Sequence, residues 1–212
     1  MKKLIAFVFL AVLTVVSYGQ SFEGTVTWSS KTDPPDASGR AATGITLKAK
    51  GTTIIAVVNG GMMNGMEMWF MDNNKKITRL MRPQKMFAPV PAEAIAANEK
   101  ATETSPFVKT AETVKILNYN CTKYTGEIKS RGVVTKLTYW TTTEIKDDQK
   151  VLEHQPDPFG SPKLPPGVEG VPMKIEAVAS IGKVIHEVTE IKSGKFSDDE
   201  FKIPADFKEV GK

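Results

Sequence analysis

Seven of the nine methionines, Met62, Met63, Met66, Met68, Met71, Met81 and Met86, fall within 25 consecutive positions. Three chemistries suit such a cluster. Flexible thioether side chains fill the irregular space of a core strand pair, or they form a deformable apolar wall against a lipid or other hydrophobic ligand. Thioethers are also soft ligands that favour Cu(I). No histidine or cysteine stands near the cluster in sequence, which weakens the metal chemistry.

Other groups offer less. His154 lies beside Glu153 and Asp157 in a proline-rich stretch, and His186 lies beside Glu187 in a strand-like run. Two histidines without HExxH-like spacing do not build a zinc site. No nucleophile elbow and no phosphate-cradling glycine motif is present. The expectation is a protein that is not an enzyme and carries no cofactor. The single cysteine, Cys121, excludes an internal disulfide and reads as a buried, inert thiol. Lys75, Lys76, Arg79, Arg82 and Lys85 form a modest basic segment, read first as a solvated face that protects a strand edge.

Lys2 and Lys3, the uncharged run Leu4 to Val16 and the small residues of Ser17-Tyr18-Gly19 have the three-part form of a secretory signal peptide. The 13-residue run is too short to span a bilayer. Residues 1–19 are therefore expected to be removed, leaving 20–212 as one exported, periplasmic or secreted domain. No lipobox cysteine follows the cleavage point, and no transmembrane segment remains after it. Cleavage leaves 26 basic residues against 24 acidic ones, a net charge of +2 in place of +4. The charges are interspersed, not gathered into the basic stripe that nucleic-acid binding needs.

Period-two alternation dominates the mature chain. Phe22, Gly24, Val26 and Trp28 share one face, as do Ile45, Leu47 and Ala49, and Met173, Ile175, Ala177 and Ala179. The run Met66 to Met71 is apolar on both faces. Val133 to Trp140 is rich in β-branched and aromatic residues. Turn chemistry stands at Asn59-Gly60-Gly61, Asp72-Asn73-Asn74, Ser180 to Lys183 and Ser193-Gly194. Pro91 to Thr104 holds strong helix formers behind an initiating proline, and Ser197 to Glu200 suits a short capped turn. Asp147 to Pro172, with six prolines and three glycines, reads as a long irregular loop.

Four segments carry a family resemblance: Phe22 to Val26, Trp69 to Lys76, Ile116 to Tyr124 and Phe201 to Phe207. In that order they resemble the exported domain-of-unknown-function family numbered 4412, similar in fold to the periplasmic lipoprotein-carrier proteins. The resemblance implies a strongly curved antiparallel sheet around helices, enclosing an apolar cavity for acyl chains.

The expected fold is thus α+β: a strongly curved antiparallel β-sheet (a half-barrel) with one main helix packed on its concave face. The expected function is non-catalytic binding of a hydrophobic small molecule or lipid. Met66, Met68, Phe70, Leu80 and Met81 are the expected cavity wall, and Asp147 to Pro172 a candidate lid. The alternatives are an envelope structural or interaction protein with a filled core, whose partner is an envelope protein, and a methionine-rich copper binder.

Overall fold

A computed structural model describes residues 22–72, 75–147, 151–152, 164–180 and 182–210. The expected leader, His154 and the middle of the proline-rich loop lie outside these residues. Thirteen strands form one continuous sheet: β1 (Gly24–Asp33), β2 (Gly44–Lys50), β3 (Thr53–Asn59), β4 (Glu67–Met71), β5 (Lys76–Met81), β6 (Met86–Pro89), β7 (Thr102–Thr104), β8 (Val108–Ile116), β9 (Tyr119–Ser130), β10 (Val133–Thr142), β11 (Val171–Ala179), β12 (Gly182–Ser193) and β13 (Lys208–Glu209). Their order is β13-β6-β5-β4-β3-β2-β1-β12-β11-β10-β9-β7, with β8 sharing the outer edge of β9. Every pairing is antiparallel except β13 with β6.

The connection between the two ends shows that the sheet curls. Helix α1 (Ala92–Lys100) leads from β6, near one edge, to β7 at the other. Ten strand spacings separate β6 from β7, about 48 Å in a flat sheet. The linking chain reaches only about 28 Å, given the helical rise of 1.5 Å per residue and an extended remainder. The sheet therefore bends until α1 bridges its open seam, and it does not close into a barrel.

The expected α+β class is corrected here. The described residues are nearly all β, and the one α-helix among them has nine residues and stands mostly exposed, touching the core through Ile95. The helix stops short of the expected Thr104 because Thr102 to Thr104 pair with Ser130 to Ile128 as β7. Two β-branched residues beside an open strand edge gain more from the ladder than from another helical turn.

Leu117 takes a left-handed conformation (φ 53°), and β8 turns there into β9. One other expectation also changes. Ser193-Gly194 is not a hairpin turn, because the chain leaves β12 to run across the other side of the sheet. The Ser197 turn is present as a 3-10 helix, Asp198–Phe201, with Glu200 accepting the Ser197 backbone N–H at 3.4 Å.

Two cores result. The inner face carries the large one, where Val26, Leu47, Ile54, Phe70, Leu137, Tyr139, Met173 and Val188 meet. Phe107 packs edge-to-face on Tyr139, with ring centroids 5.6 Å apart, and lies flat on Gly126. A Cβ at Gly126 would stand 2.6 Å from the Phe107 ring, so only glycine admits it. The described ends of the proline-rich loop belong to this core: Val151, Leu152 and Val168 are buried in it. The second core lies on the outer face of β3 to β6, where Ile55, Trp69 and Leu80 are covered by Phe201, Ile203 and Phe207. Each such buried aliphatic side chain contributes about 1.5–3 kcal/mol.

Candidate functional site

β4 separates the expected cavity residues. Its partners across the sheet put Met68 and Phe70 on the same face as Ile54, Ala56 and Ile77, in the large inner core. Leu80 lies opposite Glu67, on the other face, fully buried against Trp69 and Ile55. Leu80 therefore cannot share a cavity wall with Phe70, because adjacent residues of a strand point to opposite faces. Met81 follows Leu80 onto the inner side and pairs directly with Met86, both half-buried. Met66 is half-buried in the turn before β4, and Met62 and Met63 stand exposed on that turn. The seven methionines are thus distributed among the turn before β4 (Met62, Met63 and Met66), the two opposite faces of β4 (Met68 and Met71) and the Met81–Met86 pair. Among the described residues, no group of three or more histidine, cysteine, aspartate or glutamate side chains is placed to hold a metal ion.

The inner face changes character along β1. Phe22, Val26 and Trp28 are buried, and Ser30 and Thr32 continue the same face as half-buried polar residues. Ser30 Oγ lies 2.7 Å from His186 Nδ1 on β12. Burial holds the His186 imidazole down at about 4, so it is neutral at ordinary pH. The Trp28 indole Nε1–H is enclosed and has no hydrogen-bond acceptor among the described residues. Half-buried Ile45, directly across from Trp28 on β2, and Met68, Val90 and Ile95 pack around this core. Cys121 is fully buried, and burial raises its thiol to about 11. That leaves it protonated and unreactive.

The outer face has two treatments. Over β10 to β12 it is a charged, solvated surface, where Lys174 bonds Glu176 at 3.0 Å and Lys183 bonds the same carboxylate at 2.7 Å. Burial works against the charged form of Glu176, but those lysines outweigh it and hold the carboxyl below its ordinary value. Over β2 to β5 the returning C-terminal segment leaves a cleft of about 230 Å³, reached by Lys48, Glu67, Arg82, Asp199, Glu200 and Lys202. Its charges are matched in pairs. Lys48 meets Glu200 at 3.3 Å and Lys202 meets Asp199 at 2.9 Å. The buried Glu67 carboxylate accepts the Trp69 indole N–H at 2.8 Å and both the Nε–H and the Nη2–H of Arg82. Arg82 is therefore a partner of the second core rather than a free surface charge. Sequence reasoning missed this because its partner lies 15 residues away on another strand.

A curved, open antiparallel sheet with an apolar inner face defines the class of domain. The chain belongs to the family described as a domain of unknown function, DUF4412, whose model matches residues 22–207. Among solved structures, PNGF-II resembles it with a TM-score of 0.54 and 15% identity, over 89% of this chain and 31% of that one. The chain thus spans about a third of the length of PNGF-II, with which it shares a fold. The Mycobacterium tuberculosis lipoprotein LppX aligns over 82% of this chain and 89% of its own, at 11% identity and a TM-score of 0.42. LprF from Mycobacterium bovis aligns over 87% and 90%, at 12% identity and a TM-score of 0.39. No curated protein matches the sequence. No helix among the described residues is long and apolar enough to cross a membrane.

Proposed function

We propose that this is a non-catalytic, exported binding protein that holds a hydrophobic ligand, such as an acyl chain, against the inner face of its sheet. The observation that carries this proposal is the seam. An inner face lined with apolar side chains from strands on both sides of it is bridged there by a short helix that touches it through Ile95. Half-buried Ile45, Met68 and Val90 around the same core supply adaptable apolar contact. Apolar burial then provides the affinity, at about 25 cal/mol per Å² before the costs of association. The charges of the outer cleft are matched in pairs, and His186 is buried and neutral at ordinary pH beside Ser30, which supports a binding role. The leader expected at residues 1–19 supports a role outside the cytoplasm.

Titration with N-phenyl-1-naphthylamine tests this proposal. Saturable fluorescence at one probe per chain is expected, lost in Met68→Glu on the inner side and retained in Lys202→Glu in the outer cleft. Retention in Met68→Glu with loss in Lys202→Glu would move the site to the outer face.

A docking role for an envelope protein is the second reading. It draws on β8, which pairs only with β9 among the described residues and exposes Val108 and Val114 on both sides of a three-residue bulge.

A further inference from the structure

The indole of Trp28 narrows the kind of ligand, resting on the reading just given. Trp28 is 6% exposed, its Nε1–H is enclosed, and among the described residues no oxygen or nitrogen accepts from it. Buried donors without an acceptor are rare in folded proteins, because such a group gives up its hydrogen bond to water and receives nothing back. A phenylalanine would fill much of the same space without that cost. Trp69 shows how this fold treats a structural indole, by supplying the Glu67 carboxylate at 2.8 Å. Trp140 also lacks an acceptor, but it stands half-buried on the outward side beneath Lys123. Among the described residues, Trp28 is the one indole on the inner face whose enclosed donor meets no acceptor.

Its place on that face is informative. Along β1 the inner residues run Phe22, Gly24, Val26, Trp28, Ser30 and Thr32, from apolar to polar. Trp28 stands at the change, two residues from Ser30 and so about 7 Å from it along the strand. The neighbouring strands repeat the order. On β12 Val188 pairs with Trp28 and His186 with Ser30. On β2 half-buried Ile45 faces Trp28, so the indole has an apolar neighbour there and not a polar one. A pure hydrocarbon would leave the donor unmet.

We infer that the ligand is an amphiphile with one acceptor oxygen at the head of its chain, a carboxyl or ester carbonyl, and that Trp28 Nε1–H donates to that oxygen. The tail then runs along Val26 and Leu47, and the head lies toward Ser30 and His186. Trp28 is a specificity-determining residue in this arrangement, separating acylated molecules from hydrocarbons of equal length.

The test compares palmitic acid, methyl palmitate and hexadecane as displacers of N-phenyl-1-naphthylamine from the wild-type chain and from Trp28→Phe. Both oxygen-bearing ligands should weaken about fivefold in the variant, the size of one net hydrogen bond, while hexadecane stays within twofold. Equal changes for all three would overturn the inference and leave the binding function standing. A wild-type chain that binds none of them would overturn both. Should Trp28→Phe fail to fold, the indole ¹H–¹⁵N signals of the wild-type chain give the same decision. The Trp28 signal should move downfield with methyl palmitate and not with hexadecane. An unmoved signal in a saturated complex contradicts the assignment.

Discussion

Trp69 and Phe70 are neighbours on β4, both buried, and they belong to different cores. Phe70 faces the large inner core, and Trp69 faces the C-terminal segment on the other side of the sheet. A strand buried on both faces accounts for the run Met66 to Met71, where Met66, Met68 and Phe70 alternate with Trp69 and Met71 and only Glu67 interrupts the apolar pattern. It also separates the large inner core from the second core beneath the C-terminal segment.

The outer side gives the first prediction. Removing residues from 195 onward strips Phe201, Ile203 and Phe207 from Trp69 and exposes an apolar patch. The truncated chain should aggregate or melt at lower temperature. Phe207→Ala, a milder lesion at a half-buried site, should cost about 1–3 kcal/mol, at or below the usual range for a core phenylalanine. Denaturant unfolding followed by tryptophan emission reads both.

Arg82→Ala leaves the Glu67 carboxylate buried without its cation. The other end of the pair is about half exposed, so the loss should be about 1–3 kcal/mol, less than for a fully buried pair. Glu67→Gln in the same chain should restore part of it. Thermal melts of the single and double variants measure the coupling, and strictly additive losses would deny that the two side chains act as a unit.

His186 sets a pH window. Its folded value of about 4 lies below the ordinary 6.5, so the unfolded chain binds the extra proton between these values. Stability should therefore fall as pH drops from 6.5 to 4, by roughly 3 kcal/mol in all, and level off below. Asp36 and Glu176, held below their ordinary values by hydrogen-bonding partners, lose their contributions lower still. Urea unfolding across pH 4–7 should show the slope in the wild-type chain and a flat line in His186→Gln.

Cys121 should resist Ellman's reagent in the native protein at pH 8 and react fully in guanidinium. Burial, the dominant influence on the thiol, disappears on unfolding. Rapid native labelling would place Cys121 on an accessible surface.

Much of this was legible in the sequence where a side chain's fate depends on its own strand. The alternations of β1, β2 and β11 give their buried faces directly, and the Ser197 turn announces itself by its cap. What was not legible depends on remote partners. Phe201, Ile203 and Phe207 are scattered among charged residues, and no local period marks them as the cover of Trp69. Arg82 looks like one more surface cation until Glu67 is placed beside it. Thr102 to Thr104 continue a helical composition, and only the edge of β9 turns them into strand. The residues expected to line a cavity suffered from the same cause: Leu80 and Phe70 look alike in sequence, and only the register of β4 against β5 sends them to opposite faces.

Native mass spectrometry of the chain purified from its own cell envelope tests the central claim most directly. A stoichiometric adduct with the mass of an acyl-bearing lipid, released by organic solvent and diminished in Met68→Glu, is the predicted result. A homogeneous apo mass from the envelope, unchanged after incubation with palmitic acid or methyl palmitate, would contradict it.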